Sequence, residues 1–305
     1  MNSTALALIL VAAVAHASWN LFSKQASAAG AACFVWLMSA AAAVIYAPAV
    51  AVSVAVSPPH LTARSWVFLA GTAVLQTGYF LFLQRGYRHG DLSVVYPVGR
   101  GTGALLAALA GIAVLGERPG PAGLAGIVLL VTGVIIIGLP ARGGGDRGAG
   151  GAGGTGKAGG PGAGTVAPGA IRLALVTGVF IAAYTLWDKV AVTSVGNPPL
   201  LQDYASLVGM AVALAPFALA DTGRTRRVWQ DYRRQVLGAA VLSPLAYILV
   251  LAAMSFTSVS AVAPAREISV LFGVLLGRRL GEGGLARRLT GAAAIVLGII
   301  AVAIG

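Results

Sequence analysis

Charged and titratable side chains stand at a few points inside otherwise apolar stretches of this 305-residue chain. Arg266 and Glu267 are neighbours in "AVAPAREISVLFG", and Arg100 lies in "VVYPVGRGTG". Asp188 stands in "YTLWDKV", and His16 in "VAHASWN". A carboxylate, guanidinium or imidazole can bind an ionised solute or hold a proton, and within a membrane such groups usually face a cavity or a partner. These residues are therefore the first candidates for a site.

The composition indicates that the surroundings of these residues are lipid. Some 58% of the residues are hydrophobic and 10% are charged, whereas a soluble domain carries about 25% charged residues. Apolar runs of about 20 residues, enough to cross a hydrocarbon core, recur along the chain. The chain is thus predicted to be an all-α polytopic membrane protein whose first partner is the lipid bilayer of the cytoplasmic membrane.

The positive charge and the histidines exclude other classes of partner. The net charge of +12 is spread singly or in small groups between the apolar runs, as in membrane loops, so no nucleic-acid partner is expected. The three histidines are scattered and Cys33 is the only cysteine, so the sequence predicts no metal site and no cofactor.

The apolar runs predict ten transmembrane helices. We place them at 3–24, 30–53, 65–86, 92–115, 121–139, 170–191, 199–220, 235–255, 258–277 and 287–304. The first is interpreted as a retained helix rather than a signal peptide, because no basic residue precedes it. A glycine-rich stretch at 143–164 predicts a flexible coil. The chain is accordingly divided into a five-helix repeat at 1–140, a linker at 141–169 and a second five-helix repeat at 170–305.

The two halves resemble each other in sequence. "GERPGPAGLAGIVLLVTGVIIIG" at 116–138 aligns with "GEGGLARRLTGAAAIVLGIIAVA" at 281–303, and Pro97 aligns with Pro264. Each proline could kink its helix and free a carbonyl group for a ligand, or could begin the helix. Because five is odd, the second half must enter the membrane in the opposite sense, which predicts an inverted-topology repeat of the kind found in secondary transporters.

The distribution of basic residues predicts the orientation. Sixteen of the 21 lysines and arginines follow odd-numbered helices, whereas three follow even-numbered ones. The positive-inside rule then puts the linker in the cytoplasm and both termini outside.

Two readings remain open for each candidate site residue. Arg100, Arg266 and Glu267 would line a central cavity at the repeat interface, or would form a structural ion pair between helices. The first helix adds His16 as a proton carrier or a packing residue, Trp19 as a substrate wall or an interfacial anchor, and Asn20 beside them. The sixth helix adds Trp187 and Asp188, and Asp188 could instead pair with Lys189 at the interface.

Small residues form regular stripes that predict close helix packing. Gly99, Gly103 and Gly111 lie on a four-residue spacing, and Gly126 with Gly133 and Gly291 with Gly298 lie seven apart. Such spacing lets helix backbones approach each other, within one chain or across a homodimer. Glu117 and Glu282, which follow glycine at span ends, are interpreted as helix-start and interface features.

The ten spans in two halves, "HASWNLFSK" in the first helix, "P-x-x-R" in the fourth and the repeated Gly-Glu followed by a glycine-rich helix resemble the EamA-type transporters of the drug/metabolite transporter superfamily. The resemblance implies movement of a small metabolite or drug across the cytoplasmic membrane, often as export, coupled to protons or exchange. It also implies both termini in the cytoplasm, opposite to the charge distribution. The alternatives are an integral-membrane enzyme, for which no catalytic motif is found, and a non-transporting partner subunit.

Overall fold

Ten α-helices form the described part of the molecule. The structure is a computed structural model and describes residues 3–115, 120–138, 168–254 and 267–304, in which no β-strand occurs. The helices are α1 Ser3–Gln25, α2 Ala31–Val56, α3 Ala63–His89, α4 Leu92–Leu115, α5 Pro121–Gly138, α6 Pro168–Val190, α7 Pro199–Ala220, α8 Thr222–Met254, α9 Ser269–Arg279 and α10 Leu285–Ile304. Long apolar runs become helices because lipid offers no partner for backbone amides, which must bond within their own segment.

Eight of these helices are long and apolar enough to cross a membrane, which makes the chain a multi-pass membrane protein. The other two are α8, which has non-helical dihedral angles at Tyr232, and α9, which has eleven described residues. The described bounds lie close to the predicted spans for most helices.

The structure decides two points about helix starts. The predicted eighth span at 235–255 matches the apolar part of α8, which follows the non-helical dihedral angles at Tyr232, and a further helical segment from Thr222 precedes it. Arginines such as Arg226 form helices well, and here they lie on an exposed helical segment that precedes the apolar one. Pro97 does not begin its helix, since α4 starts at Leu92 and the proline lies inside it. Pro264 lies outside the described residues.

The contacts between helices remain the same when each helix is replaced by its counterpart in the other half. In order of the sequence repeat, α1 to α5 correspond to α6 to α10. The contact of α1 with α8 is matched by that of α6 with α3, and the contact of α4 with α6 by that of α9 with α1. Three helices pack against their own counterparts, namely α2 on α7, α4 on α9 and α5 on α10. The core therefore lies between the halves.

The counterpart helices α5 and α10 run antiparallel. A Cβ placed on Gly126 would lie 2.7 Å from the carbonyl oxygen of Gly298, and one placed on Gly133 would lie 2.6 Å from that of Gly291. From Gly126 to Gly133 along α5, the contacting residue in α10 moves back from Gly298 to Gly291, so the two chains run in opposite directions. The four glycines remove the side chains that would hold the two backbones apart.

Candidate functional site

A buried ion pair joins α4 to Glu267, two residues before the start of α9. Arg100 Nε donates to Glu267 Oε2 at 3.0 Å, and Arg100 Nη2 donates to the other carboxylate oxygen. The two side chains are 6% and 8% exposed. Because Pro97 aligns with Pro264, Arg100 and Glu267 occupy equivalent positions in the two repeats, and the pair lies where the halves meet. A bidentate pair of this kind fixes both side chains.

A cavity of about 120 Å³ lies next to this ion pair. Six helices from both halves form its wall. A buried water needs about 10–15 Å³ of such volume, so the cavity can hold several waters or one small solute. The lining residues are Ala12, His16 and Trp19 of α1, Gln76, Tyr79 and Phe80 of α3, Arg100 of α4, Tyr184 and Asp188 of α6, Gln202, Asp203, Ser206 and Leu207 of α7, and Ser243, Pro244, Ala246 and Tyr247 of α8.

Two carboxylates, Asp188 and Asp203, face this cavity. Asp188 Oδ1 accepts a hydrogen bond of 3.0 Å from Gln202 Nε2. Gln202 Nε2 also donates to the Phe68 carbonyl oxygen at 3.1 Å, which holds the amide in place. Asp203 is not among the residues predicted from the sequence, although a carboxylate early in the apolar run at 199–220 is a signal for a site.

Aromatic rings from three helices surround the same space. The His16 and Trp19 rings meet edge to face with centroids 5.3 Å apart, and Trp19 lies 5.5 Å from Phe80. Tyr79 meets Tyr184 at 5.5 Å, which joins the two halves across the cavity. Trp19 is 1% exposed, and its Nε1 has no hydrogen-bond partner in the described structure. His16 and Trp19 thus lie at the cavity, as do Arg100 and Asp188 among the other sequence candidates.

Three other candidates do not line the cavity. Glu267 is bonded to Arg100, which does line it. Asn20 is fully buried and accepts the hydroxyl hydrogen of Tyr87 while its amide donates to the His16 carbonyl oxygen at 2.8 Å. Trp187 packs its ring over Gly71 and donates from Nε1 to the Phe68 carbonyl oxygen at 2.9 Å. Both side chains point into helix interfaces because adjacent helical residues diverge by about 100°.

The expected alternative for Asp188 is also wrong. Lys189 is exposed, and these two described residues form no ion pair, since Asp188 turns to the cavity and to Gln202. Arg266 and Glu117 lie outside the described residues. Gly99 and Gly103 pack against α6, while Gly111 lies in α4 beyond the part whose packing is described.

A polar cluster closes the bundle at one end. The carboxylate of Glu282 accepts the backbone amides of Leu92 at 2.6 Å and Ser93 at 2.9 Å, so a residue of the second half caps the start of α4 in the first. Buried Arg288 bridges the Ser93 hydroxyl and Asp91. A carboxylate suits this place because a helix N-terminus carries unsatisfied donors and partial positive charge.

Lys24 extends this cluster to α1. Its Nζ donates to the carbonyl oxygens of Tyr87 and, at 2.6 Å, Gly90. Gly90 in turn lies beside Ala170 at the start of α6. Asp188 is 18 residues further along the chain, or about 27 Å along a helix axis. The cluster and the cavity carboxylates therefore lie toward opposite ends of the bundle.

Comparisons with known proteins agree with this architecture. A family model described as the EamA-like transporter family matches residues 3–139 and 169–304. A solved structure titled "Crystal structure of protein" shares the fold with a TM-score of 0.60 at 17% identity, covering 99% of this chain and 96% of its own. No curated protein sequence matches the chain.

Proposed function

Because the chain belongs to the EamA-like transporter family, we propose that it is a secondary transporter of a small metabolite or drug-like molecule in the cytoplasmic membrane. It works as an exporter, by alternating access, with coupling to protons or exchange with a second solute. The observation that supports this proposal most directly is the cavity between the halves, which both repeats line with ionisable and aromatic groups.

The proposed topology is ten spans in two inverted repeats, 1–140 and 170–305, joined by the linker at 141–169. The antiparallel packing of α5 on α10 supports it. A twofold axis that relates two antiparallel helices is perpendicular to both, so for membrane-spanning helices it lies in the membrane plane. Halves related by such an axis enter the membrane in opposite senses.

The polar cluster gives alternating access a physical basis. Its bonds from Glu282 to Ser93 and from Arg288 to Asp91 link the α9–α10 connection to the start of α4. Opening the cavity toward that end requires the breaking of these bonds, while the other end closes around the solute. Such a change is a rocking of one half against the other about a fixed site.

Reconstituted protein offers a direct test. Liposomes containing the purified chain are loaded with a defined mixture of amino acids, amines, nucleosides and organic acids, with and without a pH gradient, and efflux is measured by mass spectrometry. Ser243→Trp fills the cavity, and Val241→Trp is the matched control because Val241 is 39% exposed on the outer face of the same helix. We expect at least one solute to leave faster than from protein-free liposomes, with flux lost in Ser243→Trp and kept in Val241→Trp. Equal flux in the two variants, or no flux above that of empty liposomes, would contradict the proposal.

A further inference from the structure

Among the described residues, the charges around the cavity do not balance. Arg100 is bonded through two of its nitrogens to Glu267, so its positive charge is already compensated. Asp188 has a neutral partner, the Gln202 amide. Asp203 has no ion-pair or hydrogen-bond partner for its carboxylate within the described ranges, and the charge of Asp188, on the same cavity, acts on it. The described wall therefore presents two carboxylates that form no ion pair, since Arg100 is already paired with Glu267.

The unpaired carboxylates face an aromatic wall. Trp19, Tyr79 and Tyr184 line the same cavity, and Trp19 is 1% exposed with an indole N–H that has no partner there. Carboxylates attract a cation by charge, and ring faces attract it through their quadrupole when it lies within about 6 Å of the ring centroid. The two features together are complementary to an ammonium group that carries apolar carbon. Among the described residues, no group of three or more His, Cys, Asp or Glu side chains could hold a metal ion.

We propose that the cavity binds a small organic cation, a primary to quaternary amine whose nitrogen lies near Asp188 and Asp203 and whose carbon groups pack on Trp19. That this cation is also the transported solute rests on the proposed function. The cavity of about 120 Å³ has room for a small head such as a trimethylammonium group. Binding supplies a counter-charge to two carboxylates that the described lining leaves without an ion pair.

Choline and its uncharged isostere 3,3-dimethylbutan-1-ol probe this site in the purified full-length protein. The two differ in charge at one atom and are nearly equal in shape. Isothermal titration calorimetry should detect choline and give an affinity for the isostere that is weaker by roughly tenfold or more. Succinate, a dianion of similar size, should not bind. Equal affinity for choline and the isostere, or binding of succinate alone, would overturn the proposal.

Variants locate the charge that carries binding. Asp203→Asn should weaken choline binding by roughly 30-fold or more, since one partner of a buried charge pair is lost. Asp231→Asn, in an exposed acid of α8, is the matched control and should leave binding unchanged. Asp203→Glu keeps the charge, so partial binding in that variant shows that loss in the asparagine variant does not come from misfolding. Full choline affinity in Asp203→Asn would refute the role of this carboxylate.

Measuring efflux and choline binding on the same purified protein distinguishes this proposal from the transporter proposal. Efflux of some other solute from liposomes without choline binding leaves the transport function standing and ends the organic-cation assignment. Choline binding that Ser243→Trp abolishes, without efflux of any solute, supports the cation site and counts against transport.

Discussion

Replacing Gly133 by alanine should loosen the seam between α5 and α10. The new Cβ would lie 2.6 Å from the carbonyl oxygen of Gly291 and 2.8 Å from the amide nitrogen of Ile295. Both are backbone atoms that cannot rotate away. Since real Cβ contacts stay above 3.0 Å, the helices must part there by at least the difference of 0.4 Å. Over-packing of this kind costs about 1–3 kcal/mol.

A second glycine on the same helix provides the control. A Cβ on Gly138 would meet only Ile171 Cδ1 at 3.7 Å, an ordinary contact. Both substitutions raise helix propensity, by up to about 1 kcal/mol in a helix interior. The difference in melting temperature between the two variants therefore reports the steric clash at Gly133. Thermal unfolding in detergent, followed by tryptophan fluorescence, should place the midpoint of Gly133→Ala several degrees below that of Gly138→Ala. A Gly133→Ala protein that melts at or above its control would refute the close-packing argument.

Three further predictions address the ion pair, the cap and the topology. The exchanged pair Arg100→Glu with Glu267→Arg should give more monodisperse protein and a higher melting temperature than either single reversal, because each single change buries two like charges, at roughly 3–5 kcal/mol; singles as stable as the double would contradict a pairing role. Glu282→Gln should lower the unfolding free energy by roughly 1.5–3 kcal/mol through loss of its charged hydrogen bonds, and an unchanged denaturation curve would mean that the cap at the start of α4 adds nothing. With Cys33→Ala as background, Gly156→Cys should resist an impermeant maleimide in intact cells and react after lysis, as the basic bias predicts; labelling of intact cells would reverse the orientation.

The helices can be predicted from the sequence because the hydropathy of a segment is a local property. An apolar run of about 20 residues has one stable backbone conformation in lipid, whatever its neighbours. The eighth helix shows the limit of that logic. Hydropathy marks the apolar part of α8 after Tyr232, whereas the arginine-rich segment from Thr222 is helical because arginine has a high helix propensity.

The site depends on the direction in which each side chain points, and the sequence predicts that direction only in part. Trp187 and Asp188 are adjacent, yet one fills a gap over Gly71 and the other faces the cavity. The repeat alignment placed Arg100 and Glu267 at equivalent positions, and the structure joins them in an ion pair. Asp203 had no counterpart to mark it, and its proximity to Asp188 arises only where the connection at 191–198 turns the chain from the end of α6 into the start of α7.

The position shared by Arg100 and Glu267 makes the two halves chemically unequal. A residue next to the axis faces its own equivalent, so two copies of the first half would bring arginine against arginine, and two copies of the second would bring glutamate against glutamate. Either assembly would bury two like charges without a counter-ion. Neither half can therefore substitute for the other as a self-pairing unit. The two halves share one arrangement of helices. Because they are joined in one chain, the half that carries Arg100 always packs against the half that carries Glu267.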